Sequence, residues 1–222
     1  MQNKPVRQAL IFDFDGLILD TESVEVEVFK QEFAKLGLHF DLQAYLKIVG
    51  SSAEEGYNPW AFYAEATGGK YTTAEARRFF DHLTIQALDS TTPMEGVLEL
   101  IDEAKASGLL LAVGSSSPAS WVLPKLEKLG ILSRFDTVVT RDDVSSAKPS
   151  PEIFLTVLER LKVLPQHALV LEDSKNGCLA ALRAAIPVVH IPNEVTLLEE
   201  NDLAAEKLSS LKELNLSKYF VL

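Results

Sequence analysis

The chain has 222 residues, of which 47% are hydrophobic and 24% are charged, a composition typical of a globular protein with a substantial core. Its 21 basic and 32 acidic residues give a net charge of −11, which argues against a nucleic-acid-binding protein, because such proteins need clustered Lys and Arg. The single cysteine, Cys178, excludes an internal disulfide and is predicted to be a small core residue on a helix. The lack of long apolar runs predicts a cytoplasmic protein that does not enter membranes.

The first predicted element is a strand over residues 8–12, an apolar run that suits a strand buried on both faces. It ends in two carboxylates, Asp13 and Asp15, which the alternation of side chains places on the same side. Burying such a pair requires a cation, a set of hydrogen-bond donors or a shared proton. The pair therefore indicates a functional site, with an ordinary turn or a helix N-cap as the alternative.

Helices follow the first strand. The apolar spacing predicts helices over 22–36, 41–48, 58–67 and 72–88, the first of them ended by Gly37. A polar, proline-containing stretch over 89–93 has the composition of a linker. We therefore interpret residues 19–91 as an all-helical cap domain inserted directly after the carboxylate-bearing strand.

From residue 94 onward, helices alternate with short apolar strands. Helices are predicted over 95–107, 118–129, 151–162 and 175–184, and strands over 109–113, 137–140, 168–171 and 188–191. This alternation predicts an α/β fold with a Rossmann-like, three-layer core around a parallel sheet, formed by residues 1–18 and 92–222. The inserted helices would then lie over the carboxyl ends of the strands, where such sheets bind ligands. The tail contains weak helical blocks over 203–208 and 211–216.

Hydroxyl groups follow the second core strand. Ser115 and Ser116 stand between the strand and the next helix, where hydroxyls, backbone N–H groups and the helix N-terminus suit a phosphate. The alternative is simple N-capping of that helix by Ser117 ahead of Pro118.

Charged groups follow the next two strands. Lys148 precedes a proline in a stiff segment, where its ammonium group is suited to neutralise a phosphoryl group or a carboxylate, unless the segment is simply an exposed loop. Glu172 and Asp173 end the following strand and form an oxygen-rich pair suited to Mg²⁺, or else the acidic first turn of a helix. One edge of the sheet thus receives carboxylates, hydroxyls and a lysine, which the separate alternatives do not explain.

The four stretches together resemble the haloacid dehalogenase superfamily of phosphohydrolases. The resemblance is to the subgroup with a helical cap after the first strand, which includes beta-phosphoglucomutase and phosphoglycolate phosphatase, and it covers essentially the whole chain. The matching motifs, which occur in the family's order and with similar spacing, are Asp13-Phe14-Asp15-Gly16-Leu17-Ile18-Leu19-Asp20-Thr21-Glu22, Ser115-Ser116, Lys148-Pro149 and Glu172-Asp173-Ser174-Lys175-Asn176-Gly177.

The resemblance implies a role for each matching residue. Asp13 is implied to be the nucleophile that forms an aspartyl-phosphate, and Asp15 the general acid and base. Ser115 and the backbone of Ser116 would hold the phosphoryl oxygens, while Lys148 would balance charge between nucleophile and phosphate.

The same resemblance implies a metal site and a reaction. Glu172 and Asp173 would bind Mg²⁺ together with Asp13 and the carbonyl of Asp15. The expected function is Mg²⁺-dependent hydrolysis of a small phosphomonoester, such as a sugar phosphate, by an enzyme predicted to be a monomer. The alternatives are phosphoglucomutase-type transfer, 2-haloacid dehalogenation and a non-catalytic binding module.

The cap departs from the mutase pattern of the family. Glu25 stands where beta-phosphoglucomutases carry a histidine, and Gly50-Ser51-Ser52-Ala53 stands where a glycine and an arginine belong, which argues against mutase activity. The segment 47–56 is predicted to reach over the site, with Lys47, Ser51 and Ser52 as candidate substrate contacts. Further cap residues that could line the pocket are Asn58, Trp60, Tyr63 and Arg77.

Overall fold

The structure is a computed structural model that describes residues 8–50 and 57–221. Its centre is a six-stranded parallel sheet with the strand order β3-β2-β1-β4-β5-β6. The strands are Ala9–Phe12 (β1), Leu110–Gly114 (β2), Thr137–Val139 (β3), Ala168–Glu172 (β4), Val188–His190 (β5) and Glu206–Lys207 (β6).

Eight α-helices connect and flank the strands in the described ranges, close to the bounds expected from the sequence. They are Thr21–Lys35 (α1), Leu42–Leu46 (α2), Pro59–Ala66 (α3), Thr73–Ala87 (α4), Val97–Ala106 (α5), Ala119–Lys128 (α6), Glu152–Leu161 (α7) and Lys175–Arg183 (α8). Gly37 follows α1 with a φ of +71°, the left-handed conformation in which helices commonly end.

The sheet is covered on both faces, as the three-layer prediction requires. Along β1, Leu10 and Phe12 pack into one hydrophobic cluster, while Ala9 and Ile11 pack into another. All four residues have no exposed surface, because alternate side chains of a strand point to opposite faces and each face here carries helices. The predicted α/β fold class is confirmed.

The helices before residue 91 have a hydrophobic cluster of their own. It is rich in aromatic rings, and Phe29 stacks on Phe40 with ring centroids 5.0 Å apart. Among the described members, Val195 is the only residue from outside the range 26–80. This separate cluster supports the division into a core domain (1–18 and 92–222) and a cap domain (19–91), which stays a prediction.

The tail differs from the expectation of weak helical blocks. Residues 206–207 form the edge strand β6, which pairs in parallel with β5, so the helical prediction for 203–208 is wrong. In the second block, 3₁₀ turns form at Leu211–Glu213 and Leu216–Lys218. The predicted core position of Cys178 on a helix is confirmed, because it is buried within α8. No helix in the ranges that the structure describes is both long and apolar enough to span a bilayer.

Candidate active site

The parallel pairing of β1 with β4 brings together two segments that are far apart in the sequence. Phe12 lies opposite Leu171, and the N–H of Asp13 donates to the carbonyl of Leu171 at 3.0 Å. The residues that follow these strands therefore emerge side by side at the carboxyl edge of the sheet. This register places Asp13 next to Glu172 and Asp173.

A buried cluster of three carboxylates forms at this edge. Asp13, Glu172 and Asp173 offer oxygens within 4.8 Å of one another, and all three side chains are buried. Lys148 Nζ donates to Asp13 Oδ1 and to Glu172 Oε1, both at 2.6 Å. Lys148 is only 2% exposed, so the alternative of an exposed loop is wrong for Lys148 itself.

The charge balance of this cluster fits a divalent cation. Burial and the neighbouring Glu172 raise the pKa of Asp13, against the opposing effect of Lys148. Burial raises the pKa of Asp173 well above its usual range, and Glu22 and Glu172 raise it further. One lysine does not balance three carboxylates, and Asp173 Oδ1 has no hydrogen-bond partner in the described chain. Buried oxygen ligands of this kind suit Mg²⁺.

Residues that the sequence analysis did not identify support the carboxylate cluster. Asn193 Nδ2 donates to Asp173 Oδ2 at 2.9 Å and to the carbonyl of Gly16 at 3.3 Å. His190 Nε2 lies 2.8 Å from the carbonyl oxygen of Asp173. Groups of this kind fix the orientation of ligand carboxylates. A lone His within the fifth strand and a lone Asn after it carry no sequence signal for this role.

Asp15 lies among four donors rather than in the carboxylate cluster. Its Oδ2 accepts from Ser117 Oγ at 2.6 Å and Ser115 Oγ at 3.3 Å. Its Oδ1 accepts from Trp121 Nε1 at 2.8 Å and Thr21 Oγ1 at 2.9 Å. The carboxylate of Asp15 is thus held apart from the predicted metal ligands, and a metal contact through its carbonyl stays a prediction.

The donors of Asp15 revise one sequence interpretation. α6 begins at Ala119 with Pro118 at the N-cap, which makes no side-chain capping bond, and the N–H of Ala119 donates to Asp142 Oδ2 at 2.9 Å instead. The alternative interpretation, in which Ser117 caps this helix, is therefore wrong, and its hydroxyl donates to Asp15 instead. Trp121, in the first turn of α6, was not identified from the sequence because a tryptophan at helical spacing indicates core packing.

The two predicted phosphate-binding serines border the same cavity. Ser115 is buried and its Oγ accepts from the N–H of Ser117 at 3.0 Å. Ser116 Oγ donates to the carbonyl of Gly50 at 3.0 Å, which joins the core to the cap. That both serines bind phosphate stays a prediction.

A cavity of about 170 Å³ lies between these core residues and the cap helices. From the core it is lined by Asp13, Asp15, Ser115, Ser116, Ser117, Pro118, Trp121 and Lys148, and from the cap side it is lined by Thr21, Glu22, Glu25, Tyr45, Ile48, Val49, Gly50, Trp60, Arg77 and Asp81. One cavity is therefore shared by the residues with predicted roles in the reaction. These are the predicted nucleophile Asp13, the predicted acid and base Asp15, Lys148, Ser115 and Ser116.

The cap residues singled out from the sequence have different environments. Trp60 and Arg77 line the cavity, whereas Tyr63 packs in the aromatic cluster of the cap. Asn58 caps α3 by accepting from the N–H of Ala61. Lys47 is not among the lining residues in the part of the chain that the structure describes. Ser51, Ser52 and Ala53 lie outside the described residues.

Comparison with known proteins identifies the class. The sequence profile of haloacid dehalogenase-like hydrolases matches residues 10–191. The chain therefore belongs to the family of haloacid dehalogenase-like hydrolases, and it is an enzyme of the phosphatase type within that family.

Two phosphatases of this family are similar to the chain over most of its length. The chain is 33% identical to a phosphorylated carbohydrates phosphatase of Thermotoga maritima, with 93% of this chain and 99% of the relative covered. It is 32% identical to the fructose-1-phosphate phosphatase YqaB of Escherichia coli, with 82% and 95% covered.

Solved structures are similar over nearly the whole chain. CbbY from Rhodobacter sphaeroides in complex with xylulose-(1,5)bisphosphate, a single-site variant, has a TM-score of 0.77 and 28% identity, with 97% of this chain and 100% of that chain covered. Beta-phosphoglucomutase from Clostridium difficile has a TM-score of 0.74 and 25% identity, with 96% and 95% covered.

Proposed function

We propose that this protein is a Mg²⁺-dependent phosphatase that hydrolyses a small phosphomonoester, such as a sugar phosphate, through an aspartyl-phosphate on Asp13. One observation carries the proposal: Asp13, Lys148, Glu172 and Asp173 converge from distant parts of the sequence beside a cavity that also contains Asp15. The phosphatases of Thermotoga maritima and Escherichia coli named above support the substrate class.

The first step is attack by the Asp13 carboxylate on phosphorus. A bond forms between an Asp13 oxygen and phosphorus, and the bond from phosphorus to the alcohol oxygen breaks. Lys148, 2.6 Å from Asp13 Oδ1, holds the nucleophile in place and offsets the repulsion between two anions. Asp15 supplies the proton that the departing alkoxide takes up.

The second step is hydrolysis of the aspartyl-phosphate. Asp15 then accepts a proton from water while the water oxygen bonds to phosphorus, and the bond to Asp13 breaks, which regenerates the carboxylate. The separate location of Asp15, in a set of four donors, suits this role because a proton-transfer group works best away from a bound metal.

Mg²⁺ fits the cluster of Asp13, Glu172 and Asp173, with the Asp15 carbonyl as a further proposed ligand. When bound, such an ion supplies positive charge that stabilises the phosphoryl group in the transition state. The chain's own residues do the rest of the positioning, since Asn193 orients Asp173 and Ser174 donates to Glu172 Oε2.

Ser115 and Ser116 are the proposed ligands of the phosphoryl oxygens. Both line the cavity shortly before α6, whose N-terminus carries the positive end of the helix dipole, while its first N–H, that of Ala119, donates to Asp142 Oδ2. The Ser116 hydroxyl donates to the carbonyl of Gly50 in the cap. The same segment therefore contacts the cap and, in the proposed complex, the substrate.

The test is phosphate release from p-nitrophenyl phosphate with Mg²⁺ and after metal removal. We expect Mg²⁺-dependent release that falls at least about 10³-fold in Asp13→Asn, the scale seen when a nucleophile is lost. Asp102→Asn, which changes an exposed carboxylate on α5, is the matched control. Borohydride reduction during turnover should convert residue 13 to homoserine in wild-type protein, detected by mass spectrometry.

Two outcomes would separate the alternatives. Interconversion of sugar 1- and 6-phosphates that depends on a bisphosphate primer would indicate a mutase. Halide release from a 2-haloacid after EDTA treatment would indicate a dehalogenase. If none of the phosphomonoesters tested released phosphate in the presence of Mg²⁺, the proposal would be overturned.

A further inference from the structure

The part of the cavity that faces the cap is acidic. Of all cavity-lining residues that the structure describes, five carry carboxylates and only two are cationic; the carboxylates are Asp13, Asp15, Glu22, Glu25 and Asp81, and the cations are Arg77 and Lys148. Lys148 is engaged by Asp13 and Glu172. Among the described residues that line the cavity, Arg77 is therefore the one cation that the cap contributes.

The surroundings of Arg77 already contain compensating charge. Its guanidinium lies over the Trp60 ring, 4.9 Å from the centroid. Arg77 is close enough to Glu25 and Asp81 to lower the pKa of each carboxyl, although burial raises both pKa values more strongly. Lys125 is a further cation that acts on Asp81, but it does not line the cavity. An anionic group entering beside Arg77 would therefore meet two carboxylates as well as one guanidinium.

The carboxylates Glu22 and Glu25 are acceptors on the cavity wall. Glu25 Oε2 accepts from the Tyr45 hydroxyl at 2.6 Å. Glu22 is 7% exposed, and its Oε2 is buried with no hydrogen-bond partner in the described chain. An unpaired buried acceptor is costly unless a donor reaches it. An alcohol hydroxyl can donate a hydrogen bond to such an oxygen and, because the hydroxyl is neutral, the carboxylate does not repel it.

We infer that this acidic cap wall, formed by Glu22, Glu25 and Asp81, selects phosphomonoesters whose leaving group is a neutral polyol and rejects those with a second anionic group. The inference rests on the proposed phosphatase activity and refines it by naming what the cap recognises. It sets this chain apart from the similar CbbY structure that contains a bisphosphate. The wall contributes through charge as well as shape.

The experiment uses substrate pairs that differ in one group. Glycerol 3-phosphate and 3-phosphoglycerate form one pair, and glucitol 6-phosphate and 6-phosphogluconate form the other; each pair exchanges CH₂OH for a carboxylate. Each compound competes with p-nitrophenyl phosphate at pH 8 in the presence of Mg²⁺, so that binding is measured even where cleavage is slow and Glu25, whose pKa burial raises to about 7, is ionised. We expect the neutral member of at least one pair to bind about tenfold or more tightly.

Variants connect this preference with the wall. Glu25→Gln, which keeps shape and removes charge, should reduce the neutral-to-anionic affinity ratio about fivefold, and Glu25→Gln combined with Asp81→Asn should reduce it further. Glu27→Gln is the matched control, since Glu27 is an exposed residue of the same helix that does not line the cavity. Its ratio should equal that of wild-type protein.

The outcomes distinguish the inference from the proposed function. Equal affinities within both pairs, or a ratio that does not change in the two Glu25 variants, would overturn the inference while p-nitrophenyl phosphate hydrolysis still supports a phosphatase. If wild-type protein did not hydrolyse p-nitrophenyl phosphate, the proposed function on which the inference rests would itself be overturned.

Discussion

Lys148 Nζ lies 2.6 Å from Asp13 Oδ1, and the two residues are 135 positions apart in the sequence. Both side chains are buried, and the same ammonium group reaches Glu172 at 2.6 Å. Three carboxylates and one lysine therefore form a desolvated group whose stability depends on every member. Removing one partner from such a group leaves uncompensated buried charge.

Replacing Lys148 tests this dependence. Lys148→Met should lower the free energy of unfolding by about 3–5 kcal/mol without Mg²⁺, because Asp13 and Glu172 would lose their cation in a buried site. Urea denaturation measures the change. Lys212→Met is the control, since Lys212 forms an exposed pair with Glu95 and should cost less than about 1 kcal/mol. Equal losses in both variants would contradict the buried-pair interpretation.

The residues around Asp15 make a second prediction. Trp121→Phe keeps the ring beside Lys125 but removes the donor to Asp15 Oδ1. We expect kcat for p-nitrophenyl phosphate to fall about tenfold with little change in KM, because one hydrogen bond to a charged group is lost from the proposed acid and base. Ser117→Ala, which removes the donor to Oδ2, should give a similar fall. An unchanged kcat in both variants would exclude a positioning role.

The sequence predicted much of this site, since apolar strands that end in charged residues are easy to recognise. The first five strands and the eight helices follow from hydrophobic periodicity. Lys148, Glu172 and Asp13 were identified because parallel strands deliver their carboxyl ends to one edge.

Other contacts depend on three-dimensional details that have no sequence pattern. Trp121 reaches Asp15 across 106 positions, and Asn193 reaches Asp173 from the loop after β5. β6 was missed because two residues that pair only through the backbone need no apolar alternation. Capping by Ser117 was a reasonable alternative from local sequence, but tertiary packing brings the Asp15 carboxylate close, and the Ser117 hydroxyl donates to it.

The contact between cap and core makes a third prediction. Gly50 has a φ of +71°, and a Cβ at this position would lie 2.2 Å from Ser174 Oγ. Gly50→Ala should therefore push the 47–50 segment away from the core and lower kcat, since closure of a cap excludes water from the reaction. Gly37→Ala is a matched control with the same φ and no neighbouring atom within 4 Å.

Comparing the two glycine variants separates the cost of backbone strain from the effect of the contact between cap and core. Both should lose about 1–2 kcal/mol of stability, because alanine disfavours the left-handed conformation. Only Gly50→Ala should lose turnover by more than about threefold, measured with a sugar phosphate under saturating conditions. Equal turnover in the two variants would remove this contact from the mechanism.

The environment of Glu25 makes a prediction about pH. Burial raises the pKa of Glu25 from 4.5 to about 7, with Asp81 and Asp15 adding to the rise and Tyr45 and Arg77 opposing it. Between these two pKa values the folded protein binds more protons at this site than the unfolded chain does. The contribution of Glu25 to stability is therefore complete below pH 4.5 and is lost as pH rises through about 7.

Comparing Glu25→Gln with wild-type protein isolates this effect. Relative to wild type, the variant should become more stable by about 1 kcal/mol on going from pH 5 to pH 8, a value reduced for the partial exposure of the side chain. Urea denaturation at each pH measures the difference. Glu27→Gln should show no such trend, because Glu27 is exposed. A difference that is constant across this range would mean that Glu25 is ionised as readily in the folded protein as in the unfolded chain, and the acidic cap wall would then lack the charge crowding ascribed to it.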